Sequence, residues 1–537
     1  MTSGRDRAEP TTVPELLQDN VRRFGDGTAL IAASLGHGDK LRALTYVELD
    51  KRARRVATGL RQQGVAKGHR VGILLDNSCA LEALTTYHAV HLLGAINVPL
   101  NTRFVPAELA RAVRIAGISV LVADARLRET VGAVVDLDDN QRLLIVEVSD
   151  SEPGFGVSWN SLLAAEPLLK PATVTANDDA DWIFTSGTTG SPKAARFTHA
   201  ASVACGAGVR QAWDLRPGDV YQSSSPFFTS TGIHTNPLGV LSAGGTYLVE
   251  PDPSLEVFLD HAETHGSTVC FLVTTMLKLL VDKHREDLSR LQLRRVVYGG
   301  MAVPETTHRQ LHMVLTGELR IELVHLMGLT EGGPTGLYLS PEDQSRKPGS
   351  VGNRPFSDEV EFRIIDDGGQ PVLAGNVGEL CFRGPSVMSG YIQEGEGAPG
   401  LVDGWLLTGD LVRQDEEGYV YFDDRKKDIV RRGGLNISSA EVESVLALAP
   451  GVKAVAVVPK PHEVLGEDLC AYIEVEGEDP EIEQLRDFCK QYLAGFKIPR
   501  DIRIIGELPR NAMGRVVKAS LRKAAASPAE IETTRTQ

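Results

Sequence analysis

From Tyr46 to Gln63 apolar side chains recur among charged ones with the period of an amphipathic helix. A turn around Lys67 and Gly68 follows, then a strand-like run from Arg70 to Leu75. A second helix leads to Gly94, and Ala95 to Leu100 reads as another strand. This alternation predicts an α/β layered architecture. The longest apolar tract, Ala80 to Leu100, is interrupted by His88 and His91, so it reads as core and not as a membrane span.

A more polar stretch, roughly Asp136 to Asp181, contains PATVTANDDAD and reads as a surface linker within the domain. Composition changes again at DDRKKDIVRRGG, Asp423 to Gly434. Beyond it the pattern predicts a helix Ala440 to Leu448, strands Val452 to Val458 and Leu469 to Val475, and a helix Glu481 to Ala494. These suffice for a domain of about a hundred residues. The expected organisation is a large N-terminal layered α/β domain over 1–424, a hinge at 425–427, a small mobile C-terminal α+β domain over 428–525, and a disordered polar tail, 526–537.

At 537 residues the chain exceeds what one hydrophobic core usually supports, which agrees with two domains. Its 56 basic and 71 acidic residues leave a net charge of −15, which disfavours nucleic acid as a partner. Six cysteines are scattered without a CxxC pair, so neither a zinc site nor a disulfide framework is suggested. The opening residues, MTSGRDRAEPTT, lack an apolar signal core. A cytoplasmic enzyme acting on small molecules, monomeric or homodimeric, is expected.

Candidate chemistry concentrates at Trp182 to Arg196, WIFTSGTTGSPKAAR. Thr185, Ser186, Gly187, Thr188, Thr189 and Gly190 follow a strand-like run, and Lys193 closes the segment. Glycines let backbone approach an anion, hydroxyls add donors and the lysine adds a charge, the composition of a polyphosphate cradle. The spacing is not the GxxxxGK[ST] of P-loop enzymes. Here the chain resembles the adenylate-forming superfamily: acyl-CoA and aryl-CoA synthetases, luciferases and peptide-synthetase adenylation domains. The resemblance implies use of ATP to convert a carboxylate into an acyl adenylate with release of pyrophosphate.

Further segments match the family in order, from about Thr12 to Lys523. Singly, several also read as ordinary turns or a solvated charge run; their order carries the resemblance. In VYGGMAVP, it places Gly299, Gly300 and Met301 at the acyl pocket and one face of adenine. In LMGLTE it implies that Thr330 contacts the α-phosphate and Glu331 holds Mg²⁺, a hard cation that takes oxygen ligands. Met327 stands where an aromatic ring commonly stacks on adenine. WLLTGD and Arg425 resemble the ribose site, with Asp410 accepting from both hydroxyls. Lys427 aligns with the hinge, while Gly433 and Gly434 would let the pantetheine arm of CoA pass. KPGSVGNR matches a segment with no chemistry assigned.

Two departures bear on chemistry. In LPRNAMGRVVK the family's adenylation lysine is Arg515; it retains the charge as a planar fork, and Lys518 reaches the same side only if the segment is helical. In PFFTSTG, Thr229 replaces a common histidine, and no aspartate from Pro226 to Asn236 is available for an α-ammonium, which argues against an amino acid. Phe227 and Phe228 are expected to retain the apolar wall; Phe228, Thr229, Thr231, Gly232, Thr235, His325 and Leu326 would form a mixed pocket for an aryl or medium-sized acid, His325 as a pocket wall or satisfied polar group and not as base. The expectation is an AMP-forming acid–CoA ligase using ATP, Mg²⁺ and CoA, with Lys193, Thr330, Glu331 and Arg515 in catalysis. Two alternatives remain open: nitrite-dependent diazotisation of an aryl amine by the same nucleotide site, and a catalytically weak binding homologue.

Overall fold

A computed structural model describes residues 9–34, 41–137, 143–185, 193–252, 254–300, 303, 305–333, 336–392, 400–426, 428–432, 435–477, 479–510 and 516–526. The chain forms two compact units. The first takes the described residues of Met1–Gly187, Pro192–Phe362 and Phe382–Leu406; the second those of Arg363–Cys381 and Leu407–Gln537.

In the first unit two sheets dominate. Among the described residues one has eight strands, in the order Gly390–Tyr391, Lys193–Thr198, Asp179–Thr185, Ile96–Pro99, Arg70–Leu74, Val120–Asp124, Leu144–Val148 and Val157–Ser158. It is parallel from Asp179–Thr185 onward and antiparallel at the Lys193–Thr198 and Gly390–Tyr391 edge. The other has nine, with a parallel centre running from Glu322–Gly328 to Thr28–Ala32. The largest apolar core joins Val71, Val120 and Val146 of one sheet to Tyr221, Val269 and Val297 of the other, with helices packed among them.

The amphipathic pattern at Tyr46 yields the helix Tyr46–Gln62. Thr45 and Glu48 cap each other's backbone N–H groups, which fixes its start. Its buried face is Tyr46, Leu49, Ala53, Val56, Ala57 and Leu60, the three- and four-residue spacing of one helical stripe. The helix Ala80–Leu92, by contrast, is buried all round, and no described helix is long and apolar enough to cross a membrane. His91 meets its burial by placing Nε2 3.1 Å from the Ala180 carbonyl oxygen.

The polar stretch before the glycine-rich segment is not a surface linker. Leu144–Val148 enters the sheet beside Val120–Asp124, and Trp159 is buried with its indole donating to Thr86 Oγ1 at 3.0 Å. Short apolar runs between polar flanks gave little periodicity there, and sheet pairing decided their state.

In the second unit the strand Gly466–Val475 is central, pairing with Val430–Arg432, Val452–His462 and Asp501–Ile505. Side chains alternate between its faces. Leu469, Ala471 and Ile473 pack with the helices Ser439–Leu446 and Ile482–Lys490, whereas Cys470 and Tyr472 pack with Leu521 and Ala525 of the helix Lys518–Ala526. Residues 363–381 and 407–424 also belong here, although the sequence pattern assigned them to the large domain. The physical reason is local. Asp410 to Gln414 pair antiparallel with Val420 to Arg425, and buried Glu379 accepts from Gly409 N at 2.9 Å and Lys426 Nζ at 3.1 Å.

Candidate active site

Thr185 and Lys193 face each other as paired residues of the antiparallel strands Asp179–Thr185 and Lys193–Thr198. The first strand is anchored deep in the fold by Asp181, which accepts from Asn97 Nδ2 and Ser202 Oγ, each at 2.8 Å. Burial alone would raise the Asp181 carboxyl, but neighbouring His91 and these hydrogen bonds hold it well below the usual carboxylate range. A fixed charge under the strand therefore supports the residues that lead into 186–192.

Glu331 enters the same unit from the end of Glu322–Gly328, on the short turn Thr330–Gly332. Gly333 ends that turn at φ +72°, and a Cβ there would lie 2.0 Å from the Ser386 carbonyl oxygen, so only glycine lets the 386–391 segment come this close. Met388 N donates to the Glu331 carbonyl at 2.9 Å, and Tyr391 Oη donates to Glu331 Oε1 at 2.7 Å. Burial and the Glu331 charge push the pKa of the Tyr391 hydroxyl up, and the nearby Thr185 side chain opposes that rise. Lys193 Nζ lies 5.7 Å from the Tyr391 ring centroid. Thr330 Oγ1 and Ser230 Oγ are 3.1 Å apart. A carboxylate and an ammonium thus meet at one tyrosine, and the residue before the carboxylate, Thr330, pairs its hydroxyl with Ser230.

In the second unit Asp410, 3% exposed, pairs with Arg425, whose Nε lies 2.7 Å from Oδ1. The facing register Asp410↔Arg425 makes the pair a product of the strand pairing.

The AMP-binding enzyme family matches residues 17–392, and the AMP-binding enzyme C-terminal domain matches 441–515. Indoleacetate–CoA ligase of Aromatoleum aromaticum is 31% identical over 498 residues, covering 92% of this chain and 95% of that protein. The crystal structure of the anthranilate CoA ligase AuaEII with anthranoyl-AMP superposes with a TM-score of 0.83 at 25% identity, covering 96% of this chain and 97% of that one. That of o-succinylbenzoate CoA synthetase from Bacillus subtilis with ATP and magnesium gives 0.80 at 26% identity, covering 95% and 98%. The chain belongs to the adenylate-forming superfamily, in its acyl- and aryl-CoA synthetase branch. It is an AMP-forming ligase.

Several residues expected at this ligase's site, Ser186, Gly187, Thr188, Thr189, Gly190, Met301, Lys427, Gly433, Gly434 and Arg515, lie outside the described residues. Among the others, Gly299 is a strand residue whose Cβ would meet the Leu326 carbonyl oxygen at 2.3 Å, and Gly300 turns the chain at φ +89°. Met327 and Leu326 lie half-buried on the neighbouring strand, as do Phe228, Thr229 and Thr231 on their loop.

Four pocket assignments are corrected. Phe227 is a core residue, 1% exposed. Thr229 turns its hydroxyl to the backbone, donating to the Pro226 carbonyl at 2.7 Å and accepting from Gly232 N at 3.0 Å. Thr235 likewise donates to the Ser230 carbonyl at 3.0 Å. Both hydroxyls hold the wide π-helical turn Ser230–Thr235, which requires Gly232 because a Cβ would meet the Pro226 oxygen at 2.2 Å. His325, 2% exposed, is closed in: Nδ1 donates to the Ser350 carbonyl at 2.9 Å and the ring stacks on Tyr298. Burial pushes its pKa down to about 4, so of the two roles expected it is the satisfied, neutral polar group and not a pocket wall.

The sequence pattern missed Tyr391. It lies 60 residues from Glu331, in a two-residue strand too short to register as an element. The signal available was the SGY tripeptide, a tyrosine directly after a glycine, flanked by the apolar Val387, Met388 and Ile392.

Proposed function

We infer that this ligase condenses an aryl or medium-sized carboxylic acid with ATP, releasing pyrophosphate, and passes the acyl group to CoA, releasing AMP. The observation that carries the reading is Glu331 held by Tyr391 beside Thr185 and Lys193, at the hairpin whose connecting residues have the polyphosphate-cradle composition. The donor set fits a nucleotide-bound Mg²⁺, since a half-buried carboxylate beside hydroxyls offers the hard oxygen ligands that such a cation shares with phosphates. When bound, the cation would neutralise charge on the polyphosphate.

Lys193 would add its charge to the leaving phosphates, and Thr330 would orient the α-phosphate for attack by a substrate carboxylate oxygen. Asp410 would accept from the ribose hydroxyls while Arg425 keeps its carboxylate oriented. Arg515 would supply the cation between carboxylate and α-phosphate, and Lys427 the hinge through which the family's two half-reactions alternate. The chemistry of this cluster is positioning and charge neutralisation. The indoleacetate and anthranilate enzymes support an aryl acid.

The test is pyrophosphate release with Mg-ATP across aryl and aliphatic acids, with and without CoA, and with nitrite plus aryl amines. Release with an aryl acid, a CoA thioester as product, and a loss of about 10²-fold in Glu331→Gln are expected. Release only with nitrite and amine would overturn the reading in favour of diazotisation.

A further inference from the structure

We propose that Tyr391 is a positioning residue of the adenylation site, holding one oxygen of Glu331 so that the other is presented to the nucleotide's divalent cation. The proposal rests on the reading of Glu331 given above. Its geometry is specific to the hydroxyl: Oη donates to Glu331 Oε1 at 2.7 Å. A carboxylate that accepts one strong hydrogen bond through one oxygen loses rotational freedom and keeps its second oxygen for a metal.

The Tyr391 backbone is fixed independently of that hydroxyl. Ser389 N donates to the Arg196 carbonyl at 2.8 Å and Ile392 N to the Ala194 carbonyl at 3.0 Å, so the segment forms an edge strand on Lys193–Thr198. Met388 N binds the Glu331 carbonyl at 2.9 Å. Removing the hydroxyl therefore leaves the strand, the backbone of Glu331 and the ring under Lys193 in place. One residue thus links two parts of the cluster, the Lys193 ammonium over its ring and the Glu331 carboxylate at its hydroxyl.

The experiment compares wild type, Tyr391→Phe, Glu331→Gln and the double variant, with Ser389→Ala as a control. Among the described residues Ser389 Oγ donates to the Arg196 carbonyl alone, at 3.2 Å. Binding of Mn²⁺ to each protein in the presence of ATP is read by the electron paramagnetic resonance of free Mn²⁺, and ATP binding without metal by calorimetry. Tyr391→Phe is expected to weaken Mn²⁺ binding about 10-fold with metal-free ATP affinity unchanged, and to add less than 2-fold when Glu331 is already Gln. Ser389→Ala is expected to match wild type.

Unchanged Mn²⁺ binding in Tyr391→Phe, or an equal loss in both backgrounds, would overturn the proposal. So would a parallel loss in Ser389→Ala, because the segment and not the hydroxyl would then be responsible. Pyrophosphate release by the wild type is measured alongside: its absence with every acid counts against the ligase reading, while the Mn²⁺ comparison still decides the role of Tyr391.

Discussion

Lys518 Nζ lies 2.7 Å from Glu443 Oε1 and 2.8 Å from Ser439 Oγ, tying the first residue of the last helix to the helix Ser439–Leu446. Asp428 Oδ2 is 4.0 Å away, and Asp428 also pairs with Arg522. Burial raises the Glu443 carboxyl and Lys518 opposes that rise, so the pair is a tether inside the second unit. Lys518→Met is expected to lower stability by about 2 kcal/mol, somewhat less than for a fully enclosed pair. Thermal unfolding checks this, and the KM for ATP should move less than about 2-fold, since the lysine is spoken for structurally.

With Lys518 committed to Glu443, Arg515 has no lysine substitute within its own segment. Arg515→Lys is expected to raise the rate of pyrophosphate release about 10-fold, because a compact ammonium fits between carboxylate and phosphate better than a planar fork. Arg515→Ala should lower it by about 10²-fold. A single-turnover assay with a labelled acid separates this step from CoA transfer.

The pair Asp410 and Arg425 predicts ribose selectivity. Asp410→Asn keeps the shape but loses the charge that Arg425 shares and that the proposed ribose site would offer to two hydroxyls. The KM for ATP is expected to rise about 10-fold, and the preference for ATP over 2′-deoxy-ATP to shrink. Steady-state kinetics with both nucleotides measures it.

His325 predicts an acid limb of stability. Its folded pKa is about 4 against an ordinary value of 6.5, so between those values the unfolded chain binds a proton that the native state refuses. The contribution is complete above pH 6.5 and is lost as pH falls toward 4, about 3 kcal/mol in all. His325→Asn can still donate to the Ser350 carbonyl but does not titrate. Denaturant unfolding at pH 7 and pH 4.5 should show a drop about 2 kcal/mol smaller in this variant.

Much of the candidate site was legible because its groups sit in short contiguous segments. Thr185 with Lys193, and Thr330 with Glu331, are near neighbours in sequence, and their residue types state their chemistry. Tyr391 was not legible, since its role comes from a partner 60 residues away. Thr229, Thr235 and His325 were read as pocket groups because composition cannot say which way a polar group points; each instead answers a buried backbone carbonyl.

The same division runs through the fold. By itself the sequence determined the alternating α/β pattern, the amphipathic helix that starts at Tyr46, and the strands and helices around Val452–His462 and Gly466–Val475, because local periodicity depends on residues one turn or one pleat apart. Only the tertiary structure decided that Leu144–Val148 lies inside a sheet, that 407–424 joins the second unit, that Lys518 is a tether and that Tyr391 meets Glu331. Those outcomes depend on which distant strand or side chain supplies the missing hydrogen bond or opposite charge, and that is information no local window contains.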